Sequence, residues 1–185
     1  MIRKMLAAAM FALMCGAAVI AGLALHPTVV AVAPAAIPVP QAVRDLDTAA
    51  PTPCAANVLA DAKTFLHADP DTRWIWAHIA KSDGAWGLTW HDSNIVALDV
   101  SIPCEKVFSV VAHEWAHTQV TQDWGMTGEI RTEELVADCV SALLRPNFVN
   151  LTGIRADPYS PYAVKAGGFS PEIQTLARSV LDSHF

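Results

Sequence analysis

The spacing of apolar residues along the chain predicts several helices. Over residues 55–68 the apolar residues recur every three or four positions, which is the period of a helix with one buried face. Prolines in first turns and a capping serine before the last segment are further helix start signals. The predicted helices cover residues 55–68, 71–80, 104–120, 130–144 and 171–182, and the fourth of them stops before Pro146.

A hairpin is predicted ahead of the third helix. Residues 86–91 and 95–100 are rich in strand-forming residues, and Asp92-Ser93-Asn94 supplies the turn between them. The expected fold class is α+β, with a small antiparallel sheet or hairpin packed on the helices over 104–120 and 130–144.

The N-terminal part differs in composition from the rest of the chain. Residues 5–25 carry no charge and follow Arg3 and Lys4, so residues 1–26 are predicted to be a signal peptide or an uncleaved signal anchor. Residues 27–53 are rich in proline and alanine and predict a semi-rigid linker. Residues 54–185 then form the folded domain, which we expect outside the cytoplasm, either secreted or anchored in the membrane through residues 5–25.

Composition and charge narrow the expected partners. The length of 185 residues suits one domain, and a formal charge of −6 with scattered basic residues argues against a nucleic-acid-binding surface. Three cysteines follow the leader, and an exported domain can form one disulfide among them. We favour Cys54 with Cys104, because each precedes a predicted helix; a bridge to Cys139, or three reduced cysteines, stays open.

The most informative motif is His113-Glu114-Trp115-Ala116-His117. On a helix, His113 and His117 project from one face, one turn apart, and two imidazoles at that separation can hold one Zn²⁺. Glu114 is rotated from His113 by about 100°, which places its carboxylate beside the metal, where it can take a proton from a bound water. This is the HExxH arrangement found in zinc peptidases.

A second motif supplies the third ligand. Glu134 and Asp138 are four residues apart and share a helical face, whereas Glu133 lies on another face. Glu134 is therefore the predicted third ligand, and Asp138 is placed to accept the outer ring N–H of a zinc-bound histidine.

Asp123 is a rival third ligand, because it lies six residues after His117, where metzincin proteases place their last ligand. That geometry needs a glycine at position 120 to turn the chain back, and this sequence has Val120 there.

Tyr159 and Tyr162 are weaker candidates for a hydrogen-bond donor to the transition state, and the lone histidines at 78 and 91 are not assigned to the site.

Together the two motifs resemble the gluzincin pattern of thermolysin-like metallopeptidases. The local spelling Glu134-Leu135-x-Ala137-Asp138-Cys139 is especially similar to bacterial neutral zinc metallopeptidases, and the resemblance covers residues 86–145. It implies a minimal zincin-like domain with one zinc per chain, and it also implies a role for each motif residue. His113, His117 and Glu134 would be the ligands, Glu114 the general base and acid, and Asp138 the partner of His113. Thermolysin-like enzymes also carry a large helical C-terminal domain with transition-state donors, and this chain is too short to hold one.

The expected function is that of a zinc-dependent metallopeptidase, which hydrolyses peptide bonds by a zinc-activated water with Glu114 as general base. By analogy with the family, a peptide or protein substrate is expected to pair with the exposed edge of the 95–100 strand. Two alternatives stay open: a catalytically silent binding or structural protein that keeps the zinc site, and a zinc hydrolase of a non-protein amide such as a cell-wall link.

Overall fold

The computed structural model describes residues 39–79, 85–124, 130–160, 163 and 167–185, with the backbone alone at 121–124 and 130. These residues belong to the compact unit of residues 36–185. The predicted leader over 1–26, and the predicted linker as far as residue 38, lie outside the described residues. Within the described part of the chain, no helix combines the length and the apolar character that crossing a membrane requires.

The fold is α+β, as the sequence predicts. Along the chain, the helices and strands are α1 Gln41–Arg44, β1 Asp47–Thr48, α2 Pro53–Phe65, β2 Arg73–His78, β3 Gly87–Trp90, β4 Ile95–Asp99, α3 Cys104–Trp124, α4 Ile130–Thr152 and α5 Pro171–Asp182. A single 3₁₀ turn, His91–Ser93, joins β3 to β4. The strands form one sheet in the order β1-β2-β4-β3. The sheet is mixed and not purely antiparallel as predicted, because β2 and β4 run parallel.

Helix α3 is the centre of the core. Between residues 107 and 120 its apolar side chains are buried on every side, including Val107, Phe108, Val111 and Trp115, which is typical of a helix enclosed by other elements. Val96 of β4 belongs to the same apolar cluster, so the sheet packs on this helix. Polar side chains on α3 are therefore forced into the interior, where each needs a partner.

Local signals account for several of the helix starts. The Thr52 hydroxyl accepts the amide of Ala55 at the start of α2, and the Ser170 hydroxyl accepts the amide of Ile173 at the start of α5. The disulfide between Cys54 and Cys104 joins the first turns of α2 and α3. The favoured cysteine pairing is thus confirmed, and Cys139 remains a buried free thiol.

The predicted helix over 71–80 is wrong, because this segment is strand β2. Trp74 and Trp76 alternate along the strand, pair with Val96 and Leu98 of β4, and pack against the core. The segment pairs with β1 on one side and with β4 on the other, so two ladders of hydrogen bonds stabilise it as a strand. A short apolar run with tryptophan and isoleucine does not distinguish a buried strand from a helix.

The predicted end of α4 before Pro146 is also wrong, since the helix continues to Thr152. Proline removes one backbone donor and usually ends or kinks a helix. Here Leu144 and Phe148 are both buried on either side of it, and the ring of Phe148 stacks on Phe108 at a centroid distance of 3.9 Å. Packing of this apolar face outweighs the lost hydrogen bond.

The folded part begins earlier than the predicted boundary at residue 54. From residue 39 the predicted linker contains α1, whose Val43 is buried, and β1, which pairs antiparallel with β2. The amide of Ala49 also donates to the carbonyl oxygen of Trp76 at 3.1 Å. Pairing with the sheet thus orders a segment whose composition alone indicates a spacer.

The predicted hairpin is confirmed, and its place in the sheet corrects one expectation. Gly87 pairs with Leu98 and Trp90 with Ile95, as in an antiparallel hairpin. Because β4 lies between β2 and β3, its edge is not available to a substrate, contrary to the prediction. The strand at this end of the sheet is β3.

Candidate metal centre

Facing turns of α3 and α4 bring together three side chains that could hold a metal ion. The Nε2 atoms of His113 and His117 on α3 lie 3.2 Å apart. From α4, the Oε2 atom of Glu134 lies 3.2 Å from Nε2 of His113, and its Oε1 atom lies 3.5 Å from Nε2 of His117. The structure therefore brings together the three residues that the sequence predicts as ligands.

These separations suit a single tetrahedral ion. Ligand atoms that lie about 2.0–2.1 Å from a zinc at tetrahedral angles are about 3.3 Å from each other. In the described part of the chain, the metal-binding group contains these three residues and no fourth His, Cys, Asp or Glu. The group could hold a metal ion, to which the described residues offer three ligand atoms.

Asp138 forms a hydrogen bond with one of the three residues, His113. It is fully buried, and its Oδ1 atom accepts a hydrogen bond from Nδ1 of His113 at 2.9 Å. With the proton on Nδ1, the lone pair of Nε2 of His113 faces the position between His113, His117 and Glu134, where it could bind a metal ion. The Oδ2 atom accepts the amide of Ala163 at 3.1 Å and the hydroxyl of Ser160 at 3.3 Å. One carboxylate thus joins a ligand to the segment that follows α4.

Glu114 lies beside the three ligands and not among them. The side chain is buried, and its Oε2 atom accepts the hydroxyl of Thr89 on β3 at 2.7 Å. Its carboxylate lies directly against Gly87, where a Cβ atom would overlap Oε1. A buried carboxylate next to a metal-binding group, held by a neighbouring strand, is suited to proton transfer.

The charges at the site favour a cation between the ligands. Burial lowers the pKa of His113, but hydrogen bonds with Asp138 and Glu134 outweigh burial and raise this pKa to about 10. Burial raises the pKa of Glu134, but hydrogen bonds with the two histidines outweigh burial and lower this pKa to about 2. The carboxylates of Asp138 and Glu134 thus stabilise positive charge on the imidazole of His113, and a divalent metal ion would supply positive charge at the same place.

An aromatic ring lies near each of the two histidines. The ring of Tyr159 lies 5.8 Å from the ring of His113 and stacks on Trp86 at 5.4 Å, and its hydroxyl oxygen accepts the amide of Trp86 at 3.4 Å. The ring of His91 lies 6.1 Å from that of His117. Burial and the charge of His117 lower the pKa of His91. Each histidine of the pair therefore has an aromatic ring within about 6 Å of its own ring.

Sequence reasoning missed the contribution of β3 to this site. Gly87 and Thr89 contact Glu114, and His91 follows directly after the strand, yet the sequence motifs include none of them. Their spacing of two residues predicts a shared side of the strand. Only the contacts made in the folded chain show that this side faces α3.

Of the other residues considered from the sequence, those that the structure describes do not join the group. Glu133 is buried but is not part of the three-ligand cluster in the described structure. Helix α3 continues to Trp124, so the chain does not turn back after Val120 as the Asp123 alternative requires. The side chain of Asp123 and all of Tyr162 lie outside the described residues.

Comparison with known proteins finds no match to this chain among protein-family models, curated proteins or solved structures. The likeness to gluzincins therefore remains a prediction from the two motifs. The chain itself presents a group of two imidazoles and one carboxylate, with the buried carboxylate of Glu114 beside it.

Proposed function

We propose that this chain is a zinc-dependent metallopeptidase of the gluzincin type. The observation that carries the proposal is the convergence of His113, His117 and Glu134, with Glu114 held beside them by a hydrogen bond from Thr89. Structural zinc sites are usually closed by four protein ligands, whereas catalytic sites keep three and leave one position open. The three-residue group in the described part of the chain supports a catalytic site.

Each residue of the centre has its own part in the reaction. His113, His117 and Glu134 hold the zinc, which when bound polarises a scissile carbonyl and lowers the pKa of water. Asp138 keeps the proton of His113 on Nδ1, so that Nε2 stays a ligand. Glu114 accepts a proton from the attacking water and delivers it to the amine nitrogen as the C–N bond breaks.

The position of β3 supports a peptide substrate over other amides. Among the described strands, β3 pairs with β4 on one side and ends the sheet on the other, so its outer main-chain groups can pair with an extended peptide. The side chains of Glu114 and Thr89 meet at this strand. A peptide added as a further strand would therefore pass close to the proposed general base.

The test of this function is the pair Glu114→Gln and Glu172→Gln, the second on the exposed surface of α5 as a matched control. Glutamine is nearly isosteric with glutamate but cannot accept the proton, so Glu114→Gln should keep zinc, remain folded and lose about 10²- to 10⁴-fold in hydrolysis rate. The assay measures zinc content, melting temperature and cleavage of unfolded proteins and peptides.

Each contrary result has a distinct meaning. A zinc-loaded Glu114→Gln protein that cleaves at the wild-type rate would refute the mechanism. A zinc-loaded wild type without peptide hydrolysis would favour the silent binding protein, and hydrolysis restricted to cell-wall amides would favour the second alternative.

We also infer that the domain is exported. The disulfide between Cys54 and Cys104 supports an oxidising compartment, and the uncharged run after Arg3 and Lys4 supports a leader. Protease added to intact cells that express the full chain should digest the domain. Full protection in intact cells, with digestion after the cells are opened, would refute export.

A further inference from the structure

Strand β3 borders the proposed general base along its length. Gly87 and Thr89 lie two positions apart on one side of the strand, and both contact Glu114 of α3. This contact joins residues far apart in sequence, and it exists because β3 packs on the helix that carries the ligands.

The hydroxyl of Thr89 has two acceptors within reach on Glu114. Its Oγ1 atom lies 2.7 Å from the carboxylate Oε2 and 3.3 Å from the main-chain carbonyl oxygen. A hydroxyl carries one proton to donate, and the shorter distance and the negative charge favour the carboxylate. Only 4% of Glu114 is exposed, so water competes little for this hydrogen bond.

Gly87 supplies a second restraint on the same carboxylate. An added Cβ would overlap Oε1, Cδ and Cγ of Glu114, so the carboxylate rests on the backbone of the strand. Of its two oxygens, Oε2 accepts from Thr89 and Oε1 lies over Gly87. The strand thus limits both the position and the rotation of the carboxylate.

We propose that Thr89 is a positioning residue for Glu114, which holds Oε2 so that Oε1 exchanges the proton. This inference rests on the proposed peptidase function. As the water oxygen bonds to the carbonyl carbon, one water O–H bond breaks and its proton moves to Oε1. The same proton then passes to the amine nitrogen as the C–N bond breaks. Oε2 remains an acceptor in both protonation states of Glu114, so Thr89 keeps its hydrogen bond and transfers no proton.

Kinetic variants of the zinc-loaded full chain test the role. Thr89→Val keeps the shape and removes the donor, so we expect kcat to fall about 10- to 100-fold, the range for a lost hydrogen bond to a charged group. KM and zinc content should not change, and Thr89→Ser should retain most of the rate because it keeps the hydroxyl. Thr175→Val is the control, since this hydroxyl bonds Pro171 on the exposed part of α5. Wild-type kcat in Thr89→Val, or equal losses in the valine and serine variants, would overturn the proposal.

A second measurement does not depend on peptidase activity. A double-mutant cycle of Thr89→Val and Glu114→Ala, followed by denaturant unfolding, should show a coupling of about 10- to 100-fold in the unfolding equilibrium constant. Absence of coupling would overturn the proposal whether or not the wild type is active. If the cycle shows coupling but the wild type hydrolyses no peptide, the contact between Thr89 and Glu114 is correct, whereas its catalytic role and the proposed function are both overturned.

Gly87→Ala gives an independent check on the same carboxylate. The added methyl group would occupy the place of Oε1, so kcat should fall while zinc stays bound. A Gly87→Ala enzyme with wild-type kcat would show that the position of this carboxylate does not limit the rate, and would overturn the proposal.

Discussion

Replacing Asp138 by asparagine should lower both the free energy of unfolding and the zinc affinity, although it removes no predicted ligand. Asp138 has no exposed surface, and among the described residues its carboxylate accepts hydrogen bonds from Nδ1 of His113, the amide of Ala163 and the hydroxyl of Ser160. Asparagine has nearly the same shape, but one accepting oxygen becomes a donating NH₂ group. The donors of His113 and Ala163 face different oxygens, so neither orientation of the amide satisfies both.

The magnitude follows from the donor that loses its acceptor. With the amide oxygen towards His113, the buried N–H of Ala163 faces an NH₂ group, and an unsatisfied buried donor costs about 1–3 kcal/mol. The remaining hydrogen bond changes from charged to neutral, which costs about 1 kcal/mol more. We therefore expect the free energy of unfolding to fall by about 2–4 kcal/mol. Zinc affinity should fall about 10- to 100-fold, as for other partners of metal-bound histidines.

Two measurements on Asp138→Asn test this reasoning. Denaturant unfolding gives the free energy of unfolding, and competition with a chelator of known affinity gives the zinc affinity. Asp182→Asn is the matched control, because Asp182 lies at the end of α5, away from the ligands. If Asp138→Asn kept wild-type stability and zinc affinity, the three hydrogen bonds would not have the role assigned to them. A loss of stability with unchanged zinc affinity would refute only the orientation of His113.

Three further predictions concern the ligands and the fold around them. Glu134→Ala should lose zinc and Glu133→Ala should keep it, since only Glu134 belongs to the cluster; equal metal content in both variants would contradict this assignment. In the metal-free protein, the raised pKa of His113 should contribute to the free energy of unfolding; this contribution is complete below pH 6.5 and is lost as pH rises through about 10. The contribution from the lowered pKa of Glu134 is complete above pH 4.5 and is lost as pH falls through about 2. Denaturation across this pH range tests both contributions, and a free energy of unfolding that does not change with pH would contradict them. Replacing Cys54 and Cys104 by serine removes a bridge across 50 residues, which should lower the free energy of unfolding by about 4 kcal/mol in denaturant titrations, whereas unchanged stability would refute the estimate.

The residues of the metal-binding group could be predicted from the sequence because helix geometry is regular. His113 and His117 share a face by their spacing, and the same spacing selects Glu134 and Asp138 over Glu133. These inferences need only that both segments are helical, and the structure describes both as helices. The start of α5 and the β3–β4 hairpin were also predictable, since their signals lie within a few residues.

The errors come from features that depend on distant partners. The segment of β2 contains Trp74 and Trp76, and its parallel pairing with β4 decides that it is a strand. A proline usually ends a helix, but α4 continues beyond Pro146 because Phe148 is buried on its far side. The contact of Thr89 with Glu114 depends on the order of the strands, which no local pattern in the sequence specifies.

The segment that follows α4 shows why stability and metal binding should be coupled in this domain. The amide of Asp157 donates to the carbonyl oxygen of Glu105 at 2.6 Å, and its own carbonyl oxygen accepts the hydroxyl of Ser109 at 2.7 Å, so this segment is fastened to α3. Farther along the chain, Ser160 donates to Asp138 of α4, whose other oxygen orients a predicted ligand. The hydrogen bonds that orient this predicted ligand are therefore continuous with those that fasten the segment to the core helices. A change that breaks them should disturb the packing of the segment and the orientation of the ligand together, so the free energy of unfolding and the metal affinity should fall in parallel.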